Sequence, residues 1–319
     1  MIHAPTGECC PACGSRQMRA LFRGSDRLYR TTDKEFSVVE CSGCRLLRLH
    51  PWPSVSELSH YYPESYWFAP QESTVSRWEE NYRRIVLTDH VRFVAGAVAP
   101  NDGPVLDLGC GGALFGRLLA ARGYKVFGLD YSQQAAQVGW RQNGVPVATG
   151  LFTSAPFAAG TFGAITMFHV LEHLYDPGAY LEMAWHLLRP GGRLVVQVPN
   201  AASWQCLLFG EHWNGFDLPR HLIDFRAADV QSLVAQKRFK ILRTKHFSLR
   251  DNPAGFASSL APGLDPMARR VRGMEESPGA RLVRNLAYLG ILLAAIPFAA
   301  LEAACGAGST VMIDARKAE

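Results

Sequence analysis

The chain has 319 residues, 48% of them hydrophobic and 19% charged, with a formal net charge of +5. That apolar content supports a packed core and excludes an intrinsically disordered chain, and the length suits one large domain with a small appendage. The basic excess is too mild to point to a nucleic-acid partner.

The opening Met1-Ile2-His3-Ala4-Pro5 has neither the basic nor the apolar region of a signal peptide. The expectation is a cytoplasmic protein whose eight cysteines are metal ligands or small buried hydrophobes, not disulfides. Residues 1–53 read as a turn-rich unit closed by Pro51-Trp52-Pro53. Within it, Cys10-Pro11-Ala12-Cys13 and Cys41-Ser42-Gly43-Cys44 form two C-x-x-C knuckles. Two such knuckles place four thiolates around one zinc ion, and a filled coordination sphere makes the site structural. The competing reading, a redox dithiol, wants a single C-x-x-C on a thioredoxin-like unit. Cys110, Cys206 and Cys305 read as packing residues.

Residues 54–104 read as a helical linker or lid. Ser54 is placed to cap a short helix through Leu58. An aromatic stretch follows (Tyr61, Tyr62, Tyr66, Trp67, Phe68), then a helical pattern from about Ser76 to Ala97. Pro100–Pro104 is a turn.

From residue 105 to 319 the pattern alternates. Strands are predicted at Val105–Leu108, Lys125–Asp130, Val145–Thr149, Ala164–Phe168 and Arg193–Val198. The helices between them are Leu114–Arg122, Ser132–Asn143 and Gly178–Leu188. Such alternation predicts an α/β fold, a doubly wound parallel sheet with helices on both faces. Two later strands, Lys240–Phe247 and Ser309–Ala315, flank a helical insertion of about 250–307. The insertion carries the apolar run Leu286–Leu301, preceded by Arg281 and Arg284. Sixteen residues fall short of the roughly 20 that a membrane span needs, so a buried or half-buried helix is expected first. Peripheral membrane contact through 286–301, a true span and an oligomer face are the other roles open to it.

Chemistry concentrates after the first of these strands. Val105-Leu106-Asp107-Leu108 runs into Gly109-Cys110-Gly111-Gly112, where glycines let a cofactor approach the backbone. A nicotinamide-type G-x-G-x-x-G fails at Leu114, and there is no P-loop. Asp107 would repel a pyrophosphate but suits an ammonium group. Asp130, about 20 residues on, stands where a carboxylate accepts hydrogen bonds from ribose hydroxyls. A free ribose with a cationic amino-acid end describes S-adenosylmethionine (SAM).

Asp107-Leu108-Gly109-Cys110-Gly111 resembles motif I of class I SAM-dependent methyltransferases, and Leu129-Asp130-Tyr131-Ser132 resembles their motif II. His169-Val170-Leu171-Glu172-His173 and Leu187-Leu188-Arg189-Pro190-Gly191-Gly192 resemble the segments around their fourth and fifth strands. The resemblance covers roughly residues 75–249 and 308–318. It implies a Rossmann-like seven-stranded sheet and cofactor contacts at Asp107, Gly109, Cys110, Gly111, Asp130, Tyr131, Leu151, Phe152, Phe168 and His169. The chain departs from the pattern at Ala113, Leu151-Phe152 and Gly163, which bears on the adenine contacts. The front segment, with Tyr61-Tyr62-Pro63-Glu64-Ser65-Tyr66-Trp67 after it, resembles the zinc-binding domain of some bacterial small-molecule methyltransferases, sugar C-methyltransferases included.

His169-Val170-Leu171-Glu172-His173 also fits the H-x-x-E-H pattern of a zinc protease, a reading rejected because it directly follows the fourth strand. The candidate bases are His221 first and His169 second, since a histidine near neutral pKa can take a proton from a hydroxyl or an acidic carbon. Trp213, Asp217 and Arg220 are the candidate acceptor contacts; the bland alternative is a structural turn in which Asp217 and Arg220 pair. The expected function is methyl transfer to an oxygen or carbon of a small molecule such as a sugar or quinone. The alternatives are an RNA or protein methyltransferase that recognises its target with the zinc ribbon, and a non-catalytic SAM-binding scaffold.

Overall fold

The computed structural model describes residues 7–63 and 77–318. The aromatic side chains expected at Tyr66, Trp67 and Phe68, and the helix start at Ser76, lie outside the described residues.

The front unit holds β1 (Met18–Gly24), β2 (Phe36–Cys41) and β3 (Leu47–His50), paired antiparallel. Helix α1 (Val55–His60) follows under a reciprocal cap: Glu57 N donates to Ser54 Oγ and Ser54 N to the Glu57 carboxylate. Then comes α2 (Arg77–Ala95), which leads into the main sheet.

The main domain alternates β4 (Val105–Leu108), α3 (Leu114–Ala120), β5 (Val126–Asp130), α4 (Gln133–Asn143), β6 (Val147–Thr149), β7 (Phe162–Phe168), α5 (Pro177–Leu187) and β8 (Leu188–Pro199). Next are α6 (Trp204–Phe209), β9 (Ile223–Asp224), α7 (Ala227–Gln236) and β10 (Phe239–Lys245). The chain ends with α8 (Asn252–Leu260), α9 (Pro266–Val271), α10 (Pro278–Ala304) and β11 (Thr310–Lys317). Among the described residues, seven strands form one sheet in the order β10-β11-β8-β7-β4-β5-β6. Strand β4 lies parallel between β5 and β7, while β11 inserts antiparallel between β8 and β10. The order reverses beside β4, so the carboxyl ends of β4 and its neighbours open on one crevice. β4 is buried along its whole length, as its unbroken apolar run with one aspartate requires.

Two expectations need correction. The front unit does not end at residue 53: β9, from beyond the fifth strand of the main sheet, pairs with β3 and completes the front sheet. One continuous core then joins Phe36, Val38 and Leu49 to Phe216, Leu222 and Ile223, so the two parts are packed as one body. The second correction concerns the insertion, which is three helices. Its last, α10, has 27 residues, longer than the apolar run alone suggested. Only its inner side is buried, at Leu292, Ala295, Ala299 and Glu302, while Leu282, Leu286, Leu289 and Leu293 are exposed.

Candidate functional site

The glycine turn after β4 is built by backbone geometry. Gly109 has φ +64°, and a Cβ there would lie 2.9 Å from Val170 Cγ2, so both conformation and space exclude a larger residue. Gly111, at φ +52°, borders open space. Asp130, at the end of β5, ties the turn down: its Oδ2 accepts from Gly111 N at 2.8 Å and its Oδ1 from Ser132 N at 2.8 Å. Asp107 sits beneath and accepts from Thr166 Oγ1 at 2.6 Å. Burial pushes the Asp107 carboxyl up to about 7 and also raises that of Asp130. Cys110 turns its sulfur back toward β5, where it limits the room at Gly128, so its backbone is what the turn presents. Tyr131 and Leu151 are exposed. Phe152 is not: its ring is buried against Tyr180.

The end of β7 carries a second constellation. Phe168 packs edge-on between His90 and Phe115, at centroid distances of 4.9 and 5.0 Å. His169 adopts φ +56°. Its Nδ1 lies 3.0 Å from Glu172 Oε1 and its Nε2 3.4 Å from Asp251 Oδ1. Burial would lower this imidazole, but Asp251 and Glu172 outweigh it and hold it up at about 9. Gln197 Nε2 also lies 2.8 Å from His169 Nε2, so the ring expected as the second candidate base is held by an amide and two carboxylates at the end of β7.

Sequence reading missed Asp251. It sits just after β10, at the same edge of the sheet, and also accepts from Gln197 Nε2 at 2.6 Å and Ser248 Oγ at 2.5 Å. Loops that follow parallel strands are where such residues belong, and that rule applied to β10 would have found it. His90, on α2, was missed too. It is fully buried, neither ring nitrogen has a hydrogen-bond partner among the described residues, and burial lowers it to about 4.

His221 is nearly buried and packs edge-on to His173, centroids 4.7 Å apart. Its Nδ1 lies 2.7 Å from the Gly215 carbonyl oxygen, which only accepts, so Nδ1 carries a proton and the lone pair of the neutral ring sits on Nε2. Trp213, Asp217 and Arg220, expected at the acceptor, belong instead to the joint between the front unit and the sheet. Arg220 is fully buried. Its Nη1 and Nη2 each donate to an Asp26 oxygen at 2.9 Å, and Nη2 donates to Asp217 Oδ1 at 2.7 Å. Its guanidinium also lies 4.5 Å over the Tyr29 ring. Trp213 is buried edge-on to Phe216. The pairing of Asp217 with Arg220 is thus the structural turn weighed from the sequence.

The four knuckle cysteines converge. Cys10 Sγ lies 3.5 Å from Cys44 Sγ, and Cys13 Sγ 3.5 Å from Cys41 Sγ, with all four sulfurs within 4.8 Å of one another. Thiolates about 2.3 Å from a tetrahedral zinc stand roughly 3.8 Å apart, so the cluster suits that ion. Both knuckles are closed by backbone bonds, Gly14 N to Cys10 O and Arg45 N to Cys41 O.

The strand order, with a glycine turn after the central strand and a carboxylate ending the next, defines a Rossmann-like sheet of the class I methyltransferase type. The chain belongs to the methyltransferase domain family, whose profile matches residues 78–244, just over half its length. It is similar to a ubiquinone biosynthesis O-methyltransferase of Xanthomonas axonopodis, 30% identical over 146 residues that cover 42% of this chain and 61% of that one. A second protein of that name, from Thiobacillus denitrificans, is 29% identical over 53% of this chain and 72% of its own. Among solved structures, a SAM-dependent methyltransferase of Archaeoglobus fulgidus shares the fold with a TM-score of 0.50 and 15% identity, covering 75% of this chain and 98% of that one.

Proposed function

We propose that this protein transfers a methyl group from SAM to an oxygen or carbon of a small-molecule acceptor, with a structural zinc ion in its front unit. The observation that carries the reading is the Asp130 carboxylate bound to Gly111 N beside open space. The turn fits the cofactor: its glycines admit close approach, Asp130 keeps lone pairs for ribose hydroxyls, and the buried Asp107 suits a cationic end. When bound, SAM supplies an electrophilic methyl group. The chain's own residues orient the acceptor at the crevice and manage its proton. The Glu172–His173–His221 cluster, whose two imidazoles keep Nε2 lone pairs, is where an acceptor hydroxyl would be held. Cys10, Cys13, Cys41 and Cys44 would hold the zinc.

The relatives named for ubiquinone biosynthesis support an apolar acceptor, and α10 supports a cytoplasmic protein that works against a membrane surface. Its exposed leucines share one side, and Arg269, Arg281 and Arg284 gather on Glu276 just before its start, where Glu275 is the one further acid. Residues 277–301 contain no acid. An apolar row with a cationic end fits an anionic lipid surface. The buried Glu302, bound to Gln205, pins the inner side of the helix to the protein, so it lies on the surface of a bilayer instead of crossing it.

Calorimetric titration with SAM tests the central reading. One site per chain is expected, weakened about 100-fold or more by Asp130→Ala, which removes hydrogen bonds to a charged acceptor worth about 1.5–3 kcal/mol each. No binding by the folded wild type would overturn it. Sedimentation with anionic phospholipid vesicles tests the surface: binding should be lost in Leu286→Glu/Leu293→Glu, and equal binding by both forms would refute it.

A further inference from the structure

The H-x-x-E-H pattern pairs the wrong histidines. His169 is engaged by Glu172 Oε1 and Asp251. The fold instead brings His221, from beyond the fifth strand of the main sheet, against His173 and Glu172. One ring nitrogen of each histidine and one carboxylate oxygen of Glu172 lie within 4.8 Å of one another.

Each member is held as a ligand would be. His173 Nδ1 lies 3.0 Å from the Arg220 carbonyl oxygen and 2.9 Å from Tyr62 Oη, and His221 Nδ1 lies 2.7 Å from the Gly215 carbonyl oxygen. Carbonyls accept only, so both Nδ1 atoms donate, and in the neutral rings the lone pairs sit on Nε2. A backbone carbonyl that fixes the tautomer of a histidine is the usual support behind a metal-bound imidazole. Glu172 is 1% exposed, and its Oε2 has no hydrogen-bond partner among the described residues. An unpartnered, buried carboxylate oxygen is costly unless something outside the chain satisfies it. Asp224, on β9 near Glu172, is buried as well, with neither carboxyl oxygen partnered among the described residues.

We propose that Glu172, His173 and His221 form a binding site for a divalent first-row transition ion, separate from the cysteine cluster. Two neutral imidazoles and one carboxylate suit zinc, iron(II) or cobalt(II), and three ligands leave coordination positions open. The site itself does not depend on the methyltransferase reading. If that reading holds, an open position would take the acceptor's oxygen, because the cluster follows β7 at the crevice. It also gives His221 a task as ligand instead of base.

The experiment uses the full chain with its cysteine site filled by one equivalent of zinc, without SAM or acceptor. Cobalt(II) is then titrated in and followed by visible absorption. The proposal expects one further cobalt per chain with no thiolate charge-transfer band, bound at least 10-fold more weakly by Glu172→Gln and by His221→Asn. Absence of a second equivalent in the wild type, thiolate bands on the added cobalt, or unchanged affinity in both folded variants would overturn it. Should either variant misfold by circular dichroism, pulsed EPR of the copper(II)-loaded wild type decides: coupling to two imidazoles supports the site, and one or none sinks it. SAM calorimetry on the same protein reports separately on the methyltransferase reading.

Discussion

Replacing Arg220 by methionine keeps most of the side-chain volume and removes the charge. Both Arg220 and its partner Asp26 are almost wholly out of solvent, with side-chain exposures of 0% and 1%. The variant leaves the Asp26 carboxylate buried without its cation, although Tyr29 N, Thr31 N and Thr31 Oγ1 still donate to it. Breaking a buried pair from one side costs about 3–5 kcal/mol. An unfolding entropy of about 2.1 cal/mol/K per residue converts this to a melting temperature lower by roughly 4–8 °C for a chain of this length. The companion variant Asp26→Asn/Arg220→Met removes the more deeply buried of the two stranded charges, leaving that of Asp217, and should recover part of the loss, giving a coupling free energy of at least about 1 kcal/mol. Urea unfolding followed by circular dichroism measures all the forms of the cycle. A loss below about 1 kcal/mol for Arg220→Met, or a double variant as unstable as the sum of the singles, would refute the argument that this ion pair fastens the front unit to the sheet.

Gly109→Ala should weaken SAM binding at least 10-fold in calorimetry, because its Cβ would lie 2.9 Å from Val170 Cγ2 at a φ of +64°, while the overall fold by circular dichroism stays intact. Cys13→Ser should lower zinc content, measured by atomic absorption, by about one ion per chain relative to the wild type, and chelation of the wild type should lower its melting temperature. His90 titrates at about 4 in the folded chain against 6.5 unfolded, so its contribution is fully present above pH 6.5 and is lost as pH falls through 4. The stability of the wild type should therefore fall more steeply than that of His90→Leu between those pH values, by at most about 3 kcal/mol. Parallel curves would show that burial does not hold this ring neutral.

Much of this protein could be read from local pattern. The glycine turn, Asp107, Asp130, both cysteine knuckles and the alternation of strands and helices all lie within short windows. There, backbone period, turn conformation and ligand spacing leave a direct mark on the sequence. Boundaries shifted by a few residues where a cap decided them, as at Asp176, whose carboxylate accepts from Ala179 N and starts α5. Other features came only from the folded chain. Asp251 meets His169 across a span that no periodicity links, and β9 joins a sheet whose other strands lie in the first 50 residues. Arg220 looked like a substrate contact because arginines in loops often are. Only the arrival of Asp26 from the front unit makes it a buried ion pair. The exposure of α10 likewise depends on which neighbours cover it, since an apolar helix has the same sequence whether its outer face meets a core or a membrane. Composition and period decide which elements form and which residues hold special backbone geometry. Which distant side chains meet, and which apolar faces stay open, is decided by long-range packing, and that leaves no signature in any one stretch of the chain.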